Sequence, residues 1–281
     1  MRTHLSMMGV GLAVLLAGAA PLAAQGTSST TVGNLHGDAA QGALQYRRYC
    51  VGCHGPAGDG TGENAMWLDP KPRDFTAAAF KCRSTPTGTL PTDADLFHTI
   101  TRGVVNTNMP SWAPLTQQVR VDLVAYIKTF SPRWTTQGSG TPITIPPETP
   151  ANIESILRGR EVFQNMQCWK CHGPAGHGDG PNASTLTDSK DNPIHPYNFS
   201  AGSRFKCGET NQDLYRIFMT GVDGTPMPSF ADNIQPNEAW DLVHFLRTLQ
   251  PLNTPERAIW LAWLPQHASE LKPIGGDEGG Q

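Results

Sequence analysis

The chain has 281 residues, which is enough for about two domains of ordinary size. Charged residues make up only 16% of it, below the usual share of about a quarter, while 29 glycines and 24 prolines indicate that loops carry much of the fold. The net charge of -3 at pH 7 argues against nucleic acid or an anionic membrane as a partner.

The N-terminus is predicted to be a cleavable signal peptide over residues 1–24. Arg2 precedes an apolar run at 7–20, and small residues follow that run. The run is short for a membrane span, although an uncleaved anchor is the alternative. We expect residues 25–35, rich in Gly, Ser and Thr, to be disordered. Export would place the mature chain in the periplasm, an oxidising compartment.

The first helix is predicted from Asp38 to Cys50. Gly42 and Tyr46 precede Cys50 at helical spacing, so they share one face of that helix. A small residue and an aromatic ring on one face suit close packing against a second helix. Apolar residues recur at helical spacing after Thr116, and we expect the second helix to begin there.

The pattern Cys-x-x-Cys-His occurs in two similar stretches of the chain. In c-type haem attachment the two thiols add to the porphyrin vinyl groups and the adjacent histidine binds the iron. A lone Cys-x-x-Cys also fits half of a zinc site or a redox pair, but zinc would require both copies to converge on one ion. The pattern therefore predicts two covalently bound c-type haems, with iron, attached through Cys50, Cys53 and His54 and through Cys168, Cys171 and His172.

A Met-Pro pair follows each haem motif. The interval from Cys50 to Met109 equals the interval from Cys168 to Met227. A single methionine would be read as core filler. Equal intervals across loops of different sequence instead predict that both sulfurs serve equivalent sites, each as the sixth ligand of an iron.

The repeat divides the chain into a first domain at 36–134 and a second domain at 151–250. Residues 135–150 between them form a Pro- and Gly-rich linker. The C-terminal tail, 251–281, has no counterpart in the first copy. Thr254 in that tail precedes a proline and caps a short helix. We expect this helix to dock on its own protein, with partner docking as the alternative.

Both copies resemble class I cytochrome c domains, in which an N-terminal helix leads into Cys-x-x-Cys-His, a Met-Pro segment follows, and a C-terminal helix crosses the first. The resemblance covers 36–250 and implies an all-α fold of two tandem domains, each with a few helices and long loops around a covalently bound haem. It implies a periplasmic di-haem cytochrome c in which His54 and Met109 ligate the first iron and His172 and Met227 the second.

The same resemblance implies that carbonyls at Pro56 and Pro174 orient the two imidazoles. The strings CWKCHGPAG and RSTPTGTLPTDADLFHTITRG are similar, more loosely, to cytochromes that serve multi-subunit respiratory oxidoreductases.

An iron with six ligands has no open position for a substrate, so such a haem only gains and loses an electron. We therefore expect an electron carrier of a respiratory chain, not an enzyme, with no substrate pocket. Its partners would be redox proteins: a periplasmic donor and a membrane-bound or soluble acceptor. The alternatives are a di-haem redox enzyme of the peroxidase or thiosulfate-oxidising type and a haem-bearing subunit of a larger oxidoreductase complex.

Cys82 and Cys207 remain after haem attachment. Both follow a Phe-Lys pair, so they occupy equivalent positions in the two similar domains. If the domains pack about a pseudo-twofold axis, residues near that axis meet their own equivalents. In an oxidising compartment these two cysteines would then form a disulfide. Two buried thiols, or a thiolate haem ligand, are the alternatives.

Overall fold

The computed structural model describes residues 29–202 and 204–275. Within those ranges it holds ten α-helices and a single two-stranded hairpin, which confirms the predicted all-α fold. The predicted signal peptide lies outside the described residues. No helix among the described residues is long and apolar enough to span a membrane.

The elements of the first half of the chain are β1 (Thr31–Val32), β2 (Leu35–His36), α1 (Ala39–Tyr49), α2 (Val51–His54), α3 (Asp93–Arg102), α4 (Gln117–Lys128) and α5 (Arg133–Thr136). Those of the second half are α6 (Ile153–Asn165), α7 (Trp169–His172), α8 (Asn211–Thr220), α9 (Pro236–Leu249) and the tail helix α10 (Pro255–His267). Short 3-10 turns lie at Ala65–Trp67, Ala183–Thr185, Phe199–Ala201 and Ala268–Glu270.

Each half of the chain has its own hydrophobic core and its own pair of crossing helices. Helix α1 crosses α4 at Gly42, where an added Cβ would overlap the carbonyl oxygen of Asp122. Helix α6 crosses α9 at Gly159, where an added Cβ would overlap the carbonyl oxygen of Asp241. Tyr46, on the same face of α1 as Gly42, is 1% exposed. The small residues thus allow the backbones to approach, as the sequence predicts for Gly42.

The expectation that residues 25–35 are disordered is wrong for 29–35, which form most of the hairpin. The backbone N–H of Thr31 donates to Asp93 Oδ2 at 2.9 Å, and Lys128 Nζ donates to the carbonyl of Ser29 at 3.3 Å. Lys128 also pairs with Asp93 at 2.7 Å. The polar segment therefore has hydrogen-bond partners on α3 and α4, and the ion pair holds those two partners together. Local composition does not reveal these contacts.

The segment predicted as a linker, 135–150, is bound to both halves of the protein. Its first residues complete α5, and the rest is extended. The backbone N–H of Ile143 donates to the carbonyl of Ser84 at 2.8 Å. The side chains of Ile143 and Ile145 pack against the second core. The segment therefore lies on the protein surface as an ordered strap, and the predicted domain boundaries on either side stay predictions.

The tail helix α10 packs against α9 and α6. Thr254 caps it by accepting from the backbone N–H of Arg257 at 3.2 Å. Ile259 and Trp260 lie against the second core, and the ring of Trp260 meets Phe245 edge-on at 6.5 Å. The tail helix thus lies on its own protein, as expected from the sequence.

The two halves are joined by a disulfide between Cys82 and Cys207. Next to it, the buried guanidinium of Arg83 pairs with Asp223 at 2.8 Å and donates to the carbonyl of Thr220. A second ion pair crosses the junction where Lys190 meets Asp74 at 2.7 Å. The junction therefore combines one covalent bond with two ion pairs, and the arginine of one of these pairs is buried.

Replacing both Cys82 and Cys207 by serine removes the covalent link between the halves. The bond spans a sequence separation of 125 residues, and in the chain-entropy model such a loop stabilises the fold by roughly 4 to 5 kcal/mol. We expect the free energy of unfolding to fall by up to that amount in denaturant titrations.

Peptide mapping of the unaltered protein without reduction should recover a linked Cys82/Cys207 peptide. Alkylation of both thiols in the unreduced, denatured protein would contradict the bond.

Gly42→Ala and Gly159→Ala should each lower Tm by several degrees. Alanine favours an isolated helix over glycine by about 1 kcal/mol, but here its Cβ meets backbone of the facing helix, and overpacking costs about 1 to 3 kcal/mol. Gln41→Ala, at an exposed neighbouring position on α1, is the control and should leave Tm within a degree or so. An unchanged or raised Tm in both glycine variants would show that the crossings are not close.

Candidate functional site

One cavity in the first half is lined by all four residues predicted for the first haem: Cys50, Cys53, His54 and Met109. Cys50 ends α1, and its carbonyl accepts from the backbone N–H of His54 at 2.9 Å. Helix α2 is a single turn, so it places both thiols and the imidazole along one short piece of backbone. The residues that the sequence predicts as one site are therefore gathered around one cavity.

The imidazole of His54 is held by a backbone carbonyl. Its Nδ1 lies 2.9 Å from the carbonyl oxygen of Arg73. Because a carbonyl only accepts, Nδ1 carries the proton and the lone pair of Nε2 is free for a metal. Burial lowers the pKa of His54, which keeps the ring neutral at pH 7. The ring of Phe75 stacks on it, with centroids 4.4 Å apart.

His172 has the same arrangement in the second half. Its Nδ1 lies 3.0 Å from the carbonyl oxygen of Tyr197, and burial lowers its pKa. Phe199 takes the place of Phe75, with ring centroids 5.1 Å from the imidazole. The backbone N–H groups of Phe75 and Phe199 each donate at 2.7 Å to a glycine carbonyl of the preceding loop. Both imidazoles are thus oriented by equivalent parts of the fold.

The expectation that carbonyls at Pro56 and Pro174 orient the two imidazoles is wrong. The acceptors belong to Arg73 and Tyr197, which lie 19 and 25 residues after their histidines. The unequal separations reflect a longer loop in the second half. A sequence signal for them exists in the strings PRDF and PYNF, where the acceptor residue is followed by Asp or Asn and then Phe.

The two methionines lie on loops of the same conformation. The carbonyl of Met109 accepts from Val104, and that of Met227 accepts from Val222, both at 3.0 Å. Each loop begins at a glycine with positive φ, where an added Cβ would meet the backbone of the following Met-Pro or Pro-Ser pair. Each methionine N–H donates to a threonine hydroxyl two residues earlier. The equal spacing in sequence therefore corresponds to equal local geometry.

The first cavity also fits the polar edge of a haem, which carries two propionate carboxylates. Trp112 lines it, and its buried Nε1 has no hydrogen-bond partner in 29–202 and 204–275. Four cationic side chains line the same cavity: Lys71, Arg73, Lys81 and Lys206. An unpaired indole donor and several cations suit carboxylates, so the residues present fit the group. When bound, haem supplies an iron that cycles between ferrous and ferric states.

Three of these cations, Arg73, Lys81 and Lys206, lie near one another with acidic groups only beyond ion-pair distance. Burial lowers the pKa of Lys81 to about 8, and Arg73 and Lys206 act in the same direction while Asp188 opposes them. Burial also lowers the pKa of Lys206. None of the three forms an ion pair among the residues described. Because Lys206 belongs to the second half, the first cavity is completed across the junction.

The zinc interpretation of the Cys motifs finds no support in the structure. In the described part of the chain, the single cluster of three or more potential ligand side chains lies elsewhere, at Glu148, His244 and Glu256. The two Cys-x-x-Cys-His motifs therefore do not gather around one ion. Each motif has its own histidine acceptor and its own methionine loop.

Two family models match the chain. The model described as cytochrome C oxidase, cbb3-type, subunit III matches residues 37–127, and the model described as cytochrome c matches residues 156–250. A search of the curated proteins found no match. Among solved structures, a chain of the Kuenenia stuttgartiensis reducing HAO-like protein complex is 40% identical with a TM-score of 0.73. That match covers 75% of this chain and 96% of the solved one.

These matches and the repeated site geometry define a haem protein with two c-type domains. The chain belongs to the cytochrome c family and is a di-haem cytochrome c with two covalently bound haem c groups. Its domains indicate haem-based electron transfer. The predicted family, fold and cofactors are thereby confirmed.

Lys81→Met removes one cation from the first haem cavity. A nearby positive charge favours ferrous over ferric haem, so we expect the midpoint potential of one haem to fall by roughly 20 to 70 mV. Burial lowers the pKa of Lys81, so the wild-type potential should also fall as the pH rises through that pKa, and the variant should lack that slope. Spectroelectrochemical titration measures both effects.

Lys272→Met is the control, because it removes the same charge from an exposed position on the tail. It should leave both potentials within a few millivolts of the wild type at about 0.1 M salt, where distant surface charges are screened. Equal shifts in the two variants would contradict a specific role for Lys81 at the first cavity.

Proposed function

We propose that this protein is a periplasmic electron carrier in which each haem iron is held by one histidine and one methionine. The ligands are His54 and Met109 at the first iron and His172 and Met227 at the second. The observation that carries the proposal is that the histidine and the methionine each have the same local geometry in both halves of the protein. Each imidazole is aimed by a backbone carbonyl, and each methionine lies on a loop of matching hydrogen bonds.

The ligand set determines the chemistry. A thioether opposite an imidazole raises the reduction potential of the iron and fills its last coordination position. Such a haem exchanges electrons but does not bind a substrate at the metal. Two haems of this kind carry two electrons between a donor protein and a respiratory acceptor.

Several features of the chain favour a periplasmic location. The predicted signal peptide at 1–24 lies outside the described residues, but two other features favour an oxidising compartment. In bacteria, c-type haem is attached to its cysteines outside the cytoplasmic membrane. The disulfide between Cys82 and Cys207 is expected in a compartment where thiols are not kept reduced. Together they favour the periplasm.

A second candidate function is that of a haem-bearing subunit in a larger redox complex. It is favoured by the likeness to a chain of a reducing HAO-like protein complex, since that match covers nearly all of the solved chain. Two adjacent exposed apolar side chains, Met66 at 69% and Trp67 at 80%, precede Leu68 and Lys71 of the first cavity lining. An exposed tryptophan beside a haem cavity suits contact with a protein partner.

Met109→Ala and Met227→Ala test the ligand set. Methionine bound to ferric haem gives a charge-transfer band in the visible spectrum, and each variant should lose roughly half of its intensity because one of two equivalent sites is lost. Met66→Ala is the matched control, since this exposed methionine lies outside the proposed ligand set, and it should keep the full band. If either ligand variant keeps the full band, the assignment at that iron is wrong.

A further inference from the structure

A second kind of site lies away from both haem motifs, where three segments of the second half meet. Glu148 comes from the strap before α6, His244 from α9, and Glu256 from the first turn of α10. One ligand atom from each lies within 4.8 Å of the others. His244 is fully buried and Glu256 is 5% exposed, while Glu148 reaches the surface.

The imidazole of His244 has one ring nitrogen without a partner. Its Nδ1 lies 3.0 Å from Ser155 Oγ. The hydroxyl of Ser155 donates to the carbonyl of Asn152 at 2.9 Å, so its oxygen is left to accept from Nδ1–H. In the neutral ring Nε2 then carries a lone pair, and this buried atom has no hydrogen-bond partner among the described residues.

The charge state of His244 agrees with that assignment. Burial lowers the pKa of His244, although Glu256, Glu148, Asp241 and the carbonyl of Thr149 act in the opposite direction. The Nε2 of His244 lies 3.8 Å from Glu148 Oε1, too far for a hydrogen bond. A lone pair facing carboxylates is unfavourable unless a cation lies between them.

The nearest cation that the protein itself provides is Arg247. Burial lowers its pKa while Glu256 and Glu148 raise it, but its guanidinium makes its hydrogen bonds to other groups. Arg247 donates to Asn211 Oδ1 at 2.6 Å, to Gln250 Oε1 at 2.8 Å and to the carbonyl of Glu209. It forms no ion pair with Glu148 or Glu256 in the described structure. The amide of Asn211 donates to both carboxylates, which orients them but adds no charge.

We propose that Glu148, His244 and Glu256 bind a divalent cation of the zinc class. One imidazole nitrogen and two carboxylate oxygens are ligands that Zn²⁺ accepts at about 2.0 to 2.2 Å, and tetrahedral geometry then separates the ligand atoms by about 3.4 Å. The 3.8 Å between Nε2 and Oε1 needs only a small closure. An open cavity lined by Glu148 and Glu256 admits the ion and a water for the fourth position.

The ion would fasten three segments of the second half to one another. It joins the strap between the halves to α9 and to the start of the tail helix α10. Because the strap also bonds to the first half at Ser84, the bound ion would fix the path of the chain across the junction. Such an ion would stabilise the junction whatever the ligands of the two irons are.

Untagged, haem-loaded protein is dialysed against a chelator and then titrated with ZnCl₂. The haem is covalent, so iron measured by mass spectrometry counts the protein, at two irons per chain. We expect one zinc bound per two irons, and a rise in Tm of roughly 3 to 6 °C at a zinc concentration tenfold above Kd. Glu148→Gln and Glu256→Gln should each raise Kd at least tenfold.

Glu209→Gln is the matched control, because Glu209 lines the same open cavity but is not among the three ligands. It should bind zinc like the wild type. The proposal is overturned if wild-type protein binds no zinc, or if Glu148→Gln and Glu256→Gln bind it as tightly as Glu209→Gln. A Tm that ignores zinc but rises on acidification from pH 8 to 5.5 would also overturn it and assign the charge to a proton on His244.

Discussion

A hydrogen bond from an imidazole to a backbone carbonyl is the interaction on which each haem site depends. At His54 and at His172 it leaves Nε2 unprotonated, because the carbonyls of Arg73 and Tyr197 accept from Nδ1. The bond requires that the loop after each Cys-x-x-Cys-His motif fold back over the ring. The Phe that follows each acceptor packs on the imidazole and secures that loop. Loop, ring and thiols are thus one local structure, made twice.

The two local structures are joined through Arg73. Its carbonyl holds His54, while its guanidinium reaches the loop of Met227, where an added Cβ at Gly224 would lie 3.0 Å from Arg73 Nη1. In the other direction, Lys206 of the second half lines the first cavity. The disulfide between Cys82 and Cys207 lies beside both lysines of the Phe-Lys-Cys strings. Cationic charge at this junction therefore lines the first haem cavity.

The sequence predicts those parts of the structure that depend on spacing within one segment or on the repeat. The haem motifs, the Met-Pro intervals and the small residue at the first helix crossing are of this kind. Gly42 predicts a close crossing because helical periodicity alone places it with Tyr46 on one face. Cys82 and Cys207 stand in matching strings, so symmetry suggests their pairing before any distance is known.

Other features depend on contacts between segments that lie far apart in the sequence. Residues 29–35 form part of a hairpin because Asp93 and Lys128, far along the chain, bind its backbone. The acceptor for each histidine lies in a loop whose length differs between the halves, so position relative to the motif does not reveal it. The cationic lining of the first cavity draws on both halves. His244 reads as an ordinary core histidine until Ser155 and the two glutamates are placed around it.

The central claim is that two covalent haems sit in equivalent six-coordinate sites with no vacant iron. A reductive titration of the intact protein, followed by visible spectra and then by exposure to carbon monoxide, tests it most directly. The account predicts two one-electron transitions, low-spin spectra in both oxidation states, and ferrous spectra that carbon monoxide leaves unchanged. A single transition that accounts for one haem, or a ferrous haem that binds carbon monoxide, would contradict it.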